Sequence, residues 1–187
     1  MEKKIKIQIS SVQSDLGETF LSHLFDELEG EAADNAAEEI KEKAETEDLS
    51  VEPAKMESST EGILREEDGR VTVSYSETEL TGMEGATTNI SFDLSNTGLV
   101  TMLRGGSVTT SLVFEQDKRH VSIYETPFMP FEICILTLKV DNRLLDDGEL
   151  YLDYVVEVKG AQAERTKFKM TVSKLTETLS PMKEYEE

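Results

Sequence analysis

RVTVSYSETELTGMEGATTNISFDLSNTGLVTMLRGGSVTTSLVFE, running from Arg70 to Glu115, is the stretch that decides the fold. Val71, Val73 and Tyr75 alternate with Thr72, Ser74 and Ser76, the period-2 pattern of a strand with one buried face. The same face continues to Glu77 and Glu79, where the next apolar residues should fall. After a turn at Thr81-Gly82-Met83-Glu84-Gly85, Thr88, Ile90, Phe92 and Leu94 share one face. Asn96-Thr97-Gly98 reads as the next turn, its glycine free to take a positive φ. Leu99 to Leu103 is a strand that closes in the hairpin signal Arg104-Gly105-Gly106-Ser107. Val108, Thr110, Leu112 and Phe114 then resume the alternation. Hairpin follows hairpin, so the sheet is antiparallel.

The pattern extends in both directions. Upstream, Ile5, Ile7 and Ile9 alternate with Lys4, Lys6 and Gln8 to give a first strand, placed to close against a late one. Ser58 to Arg65 is a strand of weak pattern, and Asp68-Gly69 is a strong hairpin signal. Downstream, a turn at Gln116-Asp117-Lys118 leads into a strand from Arg119 to Thr126, which Pro127 and Pro130 break. Phe131 to Val140 is apolar on both faces, as for a strand also covered from outside. Leu150, Leu152, Tyr154, Val156 and Val158 alternate, and Phe168, Met170 and Val172 face inward on the last strand. About ten strands at hairpin spacing make an all-β barrel or sandwich.

The remaining residues divide the chain into four parts. Residues 1–11 hold the first strand, 12–56 an acidic stretch, 57–175 the body of the sheet, and 176–187 a polar, frayed tail. Leu16, Phe20, Leu24 and Leu28 recur every four residues, as in a short amphipathic helix. Residues 31–45 are alanine-rich without an apolar stripe, which suits a solvated helix or a disordered segment.

The set Tyr75-Ser76-Glu77, Thr81-Gly82-Met83-Glu84-Gly85, Arg104-Gly105-Gly106, Phe114-Glu115 and Tyr124-Glu125-Thr126-Pro127 resembles the YwiB-like family of bacterial proteins. The resemblance covers roughly Glu57 to Ser173 and the first strand, and implies that residues 12–56 are an insertion between them. It implies a calycin-like, lipocalin-like up-and-down β-barrel of about 8–10 strands, without an established activity, and so tips the choice from sandwich to barrel. Members often carry glycine after the Thr-Pro-aromatic run, whereas Met129 follows Phe128 here, so the barrel mouth is expected to differ.

The 187-residue chain carries a formal net charge of −20, and charged residues make up 31%. About half of that charge lies between Asp26 and Glu52. Such a surface repels nucleic-acid phosphates and anionic membranes, and favours basic proteins or cations as partners. The single cysteine, Cys134, excludes an intramolecular disulfide and reads as a buried structural thiol. The N-terminus shows no signal peptide, and no apolar run approaches the roughly 20 residues of a membrane helix. These features predict a cytoplasmic protein.

No phosphate-cradling loop, nucleophile elbow or cysteine pair at zinc spacing is present, so neither a cofactor nor a metal is expected. His23 and His120 lie in different regions, and Asp141 to Gly148 fails the alternating-oxygen spacing of a calcium loop. The one constellation of interest is Glu77, Glu79, Arg104, Tyr124 and Thr126. If their faces are the barrel interior, carboxylate, guanidinium and phenol meet in one cavity. A buried charge must be paired, so one outcome is a structural ion pair or charges reaching out at the rim. The other is an arginine that anchors a small anionic or amphipathic ligand. Catalysis by Glu77 as general base is the least favoured outcome, and no catalytic residue is assigned. Three classes of function follow: a ligand-binding barrel, a protein-interaction module that recruits a basic partner through the acidic insertion, and, last, an enzyme.

Overall fold

The computed structural model describes residues 1–16, 52–78, 85–106, 109–158 and 162–175, and every regular element among them is a strand. In chain order these are β1 (Glu2–Asp15), β2 (Ala54–Glu67), β3 (Arg70–Ser76), β4 (Thr87–Asp93), β5 (Asn96–Gly105), β6 (Thr109–Glu115), β7 (Arg119–Glu125), β8 (Pro130–Arg143), β9 (Glu149–Val158) and β10 (Gln162–Lys174). They close into one barrel in the order β1-β10-β9-β8-β7-β6-β5-β4-β3-β2. Every ladder is antiparallel, and the first strand closes against the last. The architecture is the all-β, up-and-down barrel that the alternation and the family resemblance imply.

Register follows from the alternation. Val71 lies opposite Phe92, Val73 opposite Ile90 and Tyr75 opposite Thr88. On the next ladders Ile90 meets Met102, and Val100 meets Phe114. All of these but Thr88 belong to a single apolar cluster, which also takes Ile5, Ile7 and Ile9 of β1 and Leu150 and Leu152 of β9. Phe114 packs on Tyr154 with ring centroids 4.7 Å apart. Each such side chain, fully buried, stabilises the fold by about 1.5–3 kcal/mol before the entropy of ordering is subtracted.

The turns show where local sequence decides and where register does. Asp68 and Gly69 have φ of 50° and 79°, the two positive values of a type I′ hairpin. The next turn departs from expectation. It falls at Leu94-Ser95, Asp93 pairs with Asn96, and Asn96-Thr97-Gly98 is already strand. A register shift between Ser91 and Asp93 moves the reversal toward the N-terminus, which puts Leu94 in solvent and relieves Gly98 of any positive φ. Gly148 is constrained twice: its φ is 81°, and a Cβ there would lie 2.4 Å from the Val172 carbonyl oxygen.

β1 runs on to Asp15 and β2 starts at Ala54, so the ladder uses the ends of the stretch that the sequence assigns to the insertion. Leu16 is buried, and its N–H donates to Ala163 O at 3.0 Å. The rest of the amphipathic stripe (Phe20, Leu24, Leu28), His23, residues 31–45 and the tail lie outside the described residues. On β8, Ile133 to Leu138 are buried without interruption, so both faces of that strand are covered.

The two ends of the barrel are unlike. Asp68-Gly69, Leu94-Ser95, Gln116-Asp117-Lys118 and Leu144–Gly148 turn at one end. The connections β1–β2, β3–β4, β5–β6, β7–β8 and β9–β10 gather at the other. Among the described residues no helix is long and apolar enough to cross a membrane.

Candidate functional site

Near that second end, cross-strand pairing aligns a ring of inward residues that are not simply apolar. Tyr75 faces Thr88, Thr88 faces Arg104, Arg104 faces Thr110, Thr110 faces Tyr124, and Tyr124 faces Phe131. The ring is a consequence of period 2: on β3, β4, β5, β6 and β8 its members continue the inward face beyond Val73, Ile90, Met102, Leu112 and Ile133. Where the core ends, polar side chains take over the same face.

A cavity of about 370 Å³ opens inside this ring. A ten-stranded barrel is wider than an eight-stranded one, whose interior side chains just fill it, and the size falls in the range of small-molecule sites. Arg104, Thr110, Tyr124, Tyr154, Glu164 and Thr166 supply its polar groups, while Phe131, Ile133, Val156 and Val158 form an apolar wall. A smaller space of about 180 Å³ reaches Glu77 and Ser11 and shares Arg104, Tyr154, Thr166 and Gln13 with the first. Arg104 therefore borders both.

Glu77 and Arg104 face each other in the interior. Glu77 Oε1 lies 3.8 Å from Arg104 Nε, with the two side chains 3% and 25% exposed respectively. At that distance the contact is coulombic and not a hydrogen bond, and Arg104 Nε has no hydrogen-bond partner. The Glu77 carboxylate instead accepts a hydrogen bond from Thr88 Oγ1, and the Glu77 N–H donates to Ala86 O at 2.9 Å. Thr110, 2% exposed, has an unpartnered hydroxyl on the cavity wall. A buried hydroxyl without a partner costs free energy, and here it faces a space that could hold one.

Burial sets the protonation preferences around the cavity. It pushes the Tyr154 phenol up from 10.0; the Arg104 guanidinium and a hydrogen bond with Thr166 oppose this, and Glu164 adds to it. Tyr75 is raised chiefly by burial and secondarily by Glu77. Glu164 is raised above the ordinary carboxylate value, first by desolvation, against a hydrogen bond from Thr166.

Of the residues that the sequence singles out, Glu77, Arg104 and Tyr124 come together in this region. Thr126 does not join them: its hydroxyl donates to Met129 O at 2.8 Å and accepts the Phe128 and Met129 amides, so it fixes the β7–β8 turn. Glu79 lies outside the described residues. Gln13, Glu164 and Thr166 were not singled out. Each nevertheless continues an inward face, Gln13 after Ile9 and Ser11, Glu164 and Thr166 before Phe168, so extending the alternation past the apolar residues finds them.

Other chemistry-bearing residues lie elsewhere. His120 Nε2 is 3.6 Å from a Glu115 carboxylate oxygen. Cys134 is buried, takes a hydrogen bond from Arg119, and has its thiol pushed up by burial. The acidic turn after β8 is answered by its own arginine, since Arg143 pairs with Asp141 at 3.1 Å, Glu149 at 3.2 Å, and Asp147. Among the described residues no group of three or more His, Cys, Asp or Glu side chains could hold a metal ion.

Comparison with protein families gives a match over residues 39–170 to DUF1934, a domain of unknown function. The crystal structure of the ywiB protein from Bacillus subtilis is similar with a TM-score of 0.58 and 15% identity, over 92% of this chain and 93% of that one. At that identity the likeness extends to the fold alone. Comparison with curated proteins gives no match.

Proposed function

We propose, from the premise that this chain belongs to the DUF1934 family, a domain of unknown function, that it is a non-catalytic small-molecule-binding barrel. Its ligand is amphipathic, with an anionic group on Arg104 and an apolar body against Ile133, Val156 and Val158. The observation that carries this reading is the cavity of about 370 Å³ in which Arg104 and the unpartnered Thr110 hydroxyl converge. A largely apolar space with a few convergent polar groups is the general form of a ligand site. Glu77 holds Arg104 by charge without consuming its Nε donor, which leaves the guanidinium fit to anchor a carboxylate. A lone reduced cysteine suits work in the cytoplasm.

The test is a thermal-shift titration of the full chain with decanoate, alongside native mass spectrometry of gently purified protein. Binding should raise the melting temperature of the wild type and leave the charge-neutral double variant Arg104→Met/Glu77→Gln unmoved. An equal shift in both would remove Arg104 from the site. No shift and no co-purifying mass would sink the binding reading.

A second reading rests on charge. With half of the −20 between Asp26 and Glu52, the chain could serve as an interaction module for a basic protein. Recovery of partners that is unchanged between low and about 0.5 M salt would count against it, because exposed charges are screened within a few ångströms at that ionic strength.

A further inference from the structure

We infer, resting on the binding reading above, that the cavity takes a zwitterion: a short apolar peptide whose carboxylate meets Arg104 and whose ammonium meets Glu164. The charges on the cavity wall are unequally matched. Arg104 has Glu77 as counter-ion at 3.8 Å. Glu164 forms no ion pair among the described residues, and its one hydrogen bond is a long 3.5 Å contact from Thr166 Oγ1. It is half-buried, and desolvation already opposes its charge. A carboxylate in that setting is stabilised by any cation that reaches it.

Placement supplies the second step. The Tyr154 ring lies in the field of Arg104 and of Glu164, with opposite effects on its hydroxyl, and hydrogen-bonds with Thr166. Thr166 in turn meets Glu164. Arg104 on β5 and Glu164 on β10 thus approach one buried tyrosine from opposite sides of the barrel, with Val156 and Val158 alternating beside that tyrosine on β9. A ligand with separated charges and an apolar side chain answers all three features. A simple fatty anion answers two, and it brings a second negative charge toward Glu164 without a cation to match.

The Thr110 hydroxyl, buried and unpartnered across the β5–β6 ladder from Arg104, gives the ligand carboxylate or its adjoining amide a further polar contact. This observation is independent of the acidic side of the cavity. It marks the Arg104 side as the place where a ligand oxygen belongs.

The experiment compares leucyl-phenylalanine with its N-acetyl and C-terminal amide forms, by isothermal titration calorimetry on the full chain at neutral pH. On the wild type, acetylation and amidation should each weaken binding by about tenfold, the scale of one charge-assisted contact. On Glu164→Gln the acetylation penalty should shrink to within about twofold, and the amidation penalty should remain. Far-UV circular dichroism reports whether that variant is folded, and the probe comparison on the wild type stands without it. Equal binding of free and acetylated peptide by the wild type overturns the ammonium–Glu164 contact. Tighter binding of the amide overturns the carboxylate–Arg104 contact. Binding of decanoate with no binding of any peptide form overturns the zwitterion while leaving the barrel a ligand carrier. Failure of decanoate and all peptides removes both.

Discussion

Glu77 carries a charge at a position whose side chain is 3% exposed, and its surroundings determine what each neighbour is worth. Arg104→Ala would leave that carboxylate with the Thr88 hydroxyl as its hydrogen-bond donor and no counter-ion in contact. Breaking a buried pair from one side costs about 3–5 kcal/mol, and the lower end applies because a quarter of the arginine side chain meets solvent. Glu77→Gln should cost less, since an amide oxygen still accepts from Thr88. Urea denaturation midpoints of the two variants give the comparison, and a reversed order would contradict the pairing. A second expectation concerns Glu164, whose folded-state pKa lies above the ordinary 4.5 because of desolvation. The native state then holds this proton more tightly than the unfolded chain. Its contribution to stability is complete below the ordinary value and is lost as pH rises through the raised one. Glutamine imitates the protonated form. The melting-temperature advantage of Glu164→Gln over wild type should therefore be near zero at about pH 4 and grow toward pH 7. An advantage that is constant with pH would point to packing as its source.

Between strands, the weakest ladder is β6–β7. Among the described residues its pairs are Thr109 with Glu125 and Thr110 with Tyr124, against six on β5–β6. Beyond them Ser122 Oγ donates to Ser111 O, a side chain standing in for a ladder bond. Local opening is easiest where backbone bonds are few, so hydrogen exchange should be faster for the β7-facing amides of Ser111–Glu115 than for the amides of β5. Uniform protection across β5 and β6 would show the seam to be closed in solution. The runs β3 to β6 and β9 were legible because apolar and polar residues alternate, and Asp68-Gly69 because its two positive φ values demand that chemistry. The full span of β2 was not. Its inward positions opposite Ile9, Ile7 and Ile5 are Ser58, Thr60 and Gly62, small residues that make room for the isoleucines. A Cβ on Gly62 would lie 2.5 Å from Ile7 Cδ1. The periodicity is present there as size instead of polarity. For the site, alternation brought Glu77, Arg104 and Tyr124 to one face, but nothing local to Glu164 or Thr166 says that β10 stands across the cavity from β5. That depends on closure of the whole barrel.

The whole molecule divides its labour between its ends. Val100, Phe92 and Phe114 fill one end of the barrel, and the cavity lies toward the other, where β1 ends and β2 begins. This division bears on how much of the chain the barrel needs. β1 and β2 pair directly from Glu2–Arg65 to Gln13–Ala54, so the segment between them joins two adjacent, antiparallel strand ends. A short linker can do that as a hairpin loop does. Residues 26–52 are too polar to repay their own ordering by burial, and shortening the loop lowers the entropy cost of closing it by about 1 kcal/mol. Replacing residues 17–51 with a short Gly/Ser linker should therefore leave the far-UV β-sheet signal and a single cooperative melt. Against that gain stands Leu16, buried beside Ala163 at the point where the chain leaves β1. If residues after Leu16 also cover the barrel wall, the shortened chain would lose the burial that covers it. Loss of cooperative unfolding in the linker variant would thus mean that the stripe of Leu16, Phe20, Leu24 and Leu28 is part of the folded structure. A melt that stays cooperative, with decanoate binding unchanged, would show that the barrel and its cavity fold and work without it.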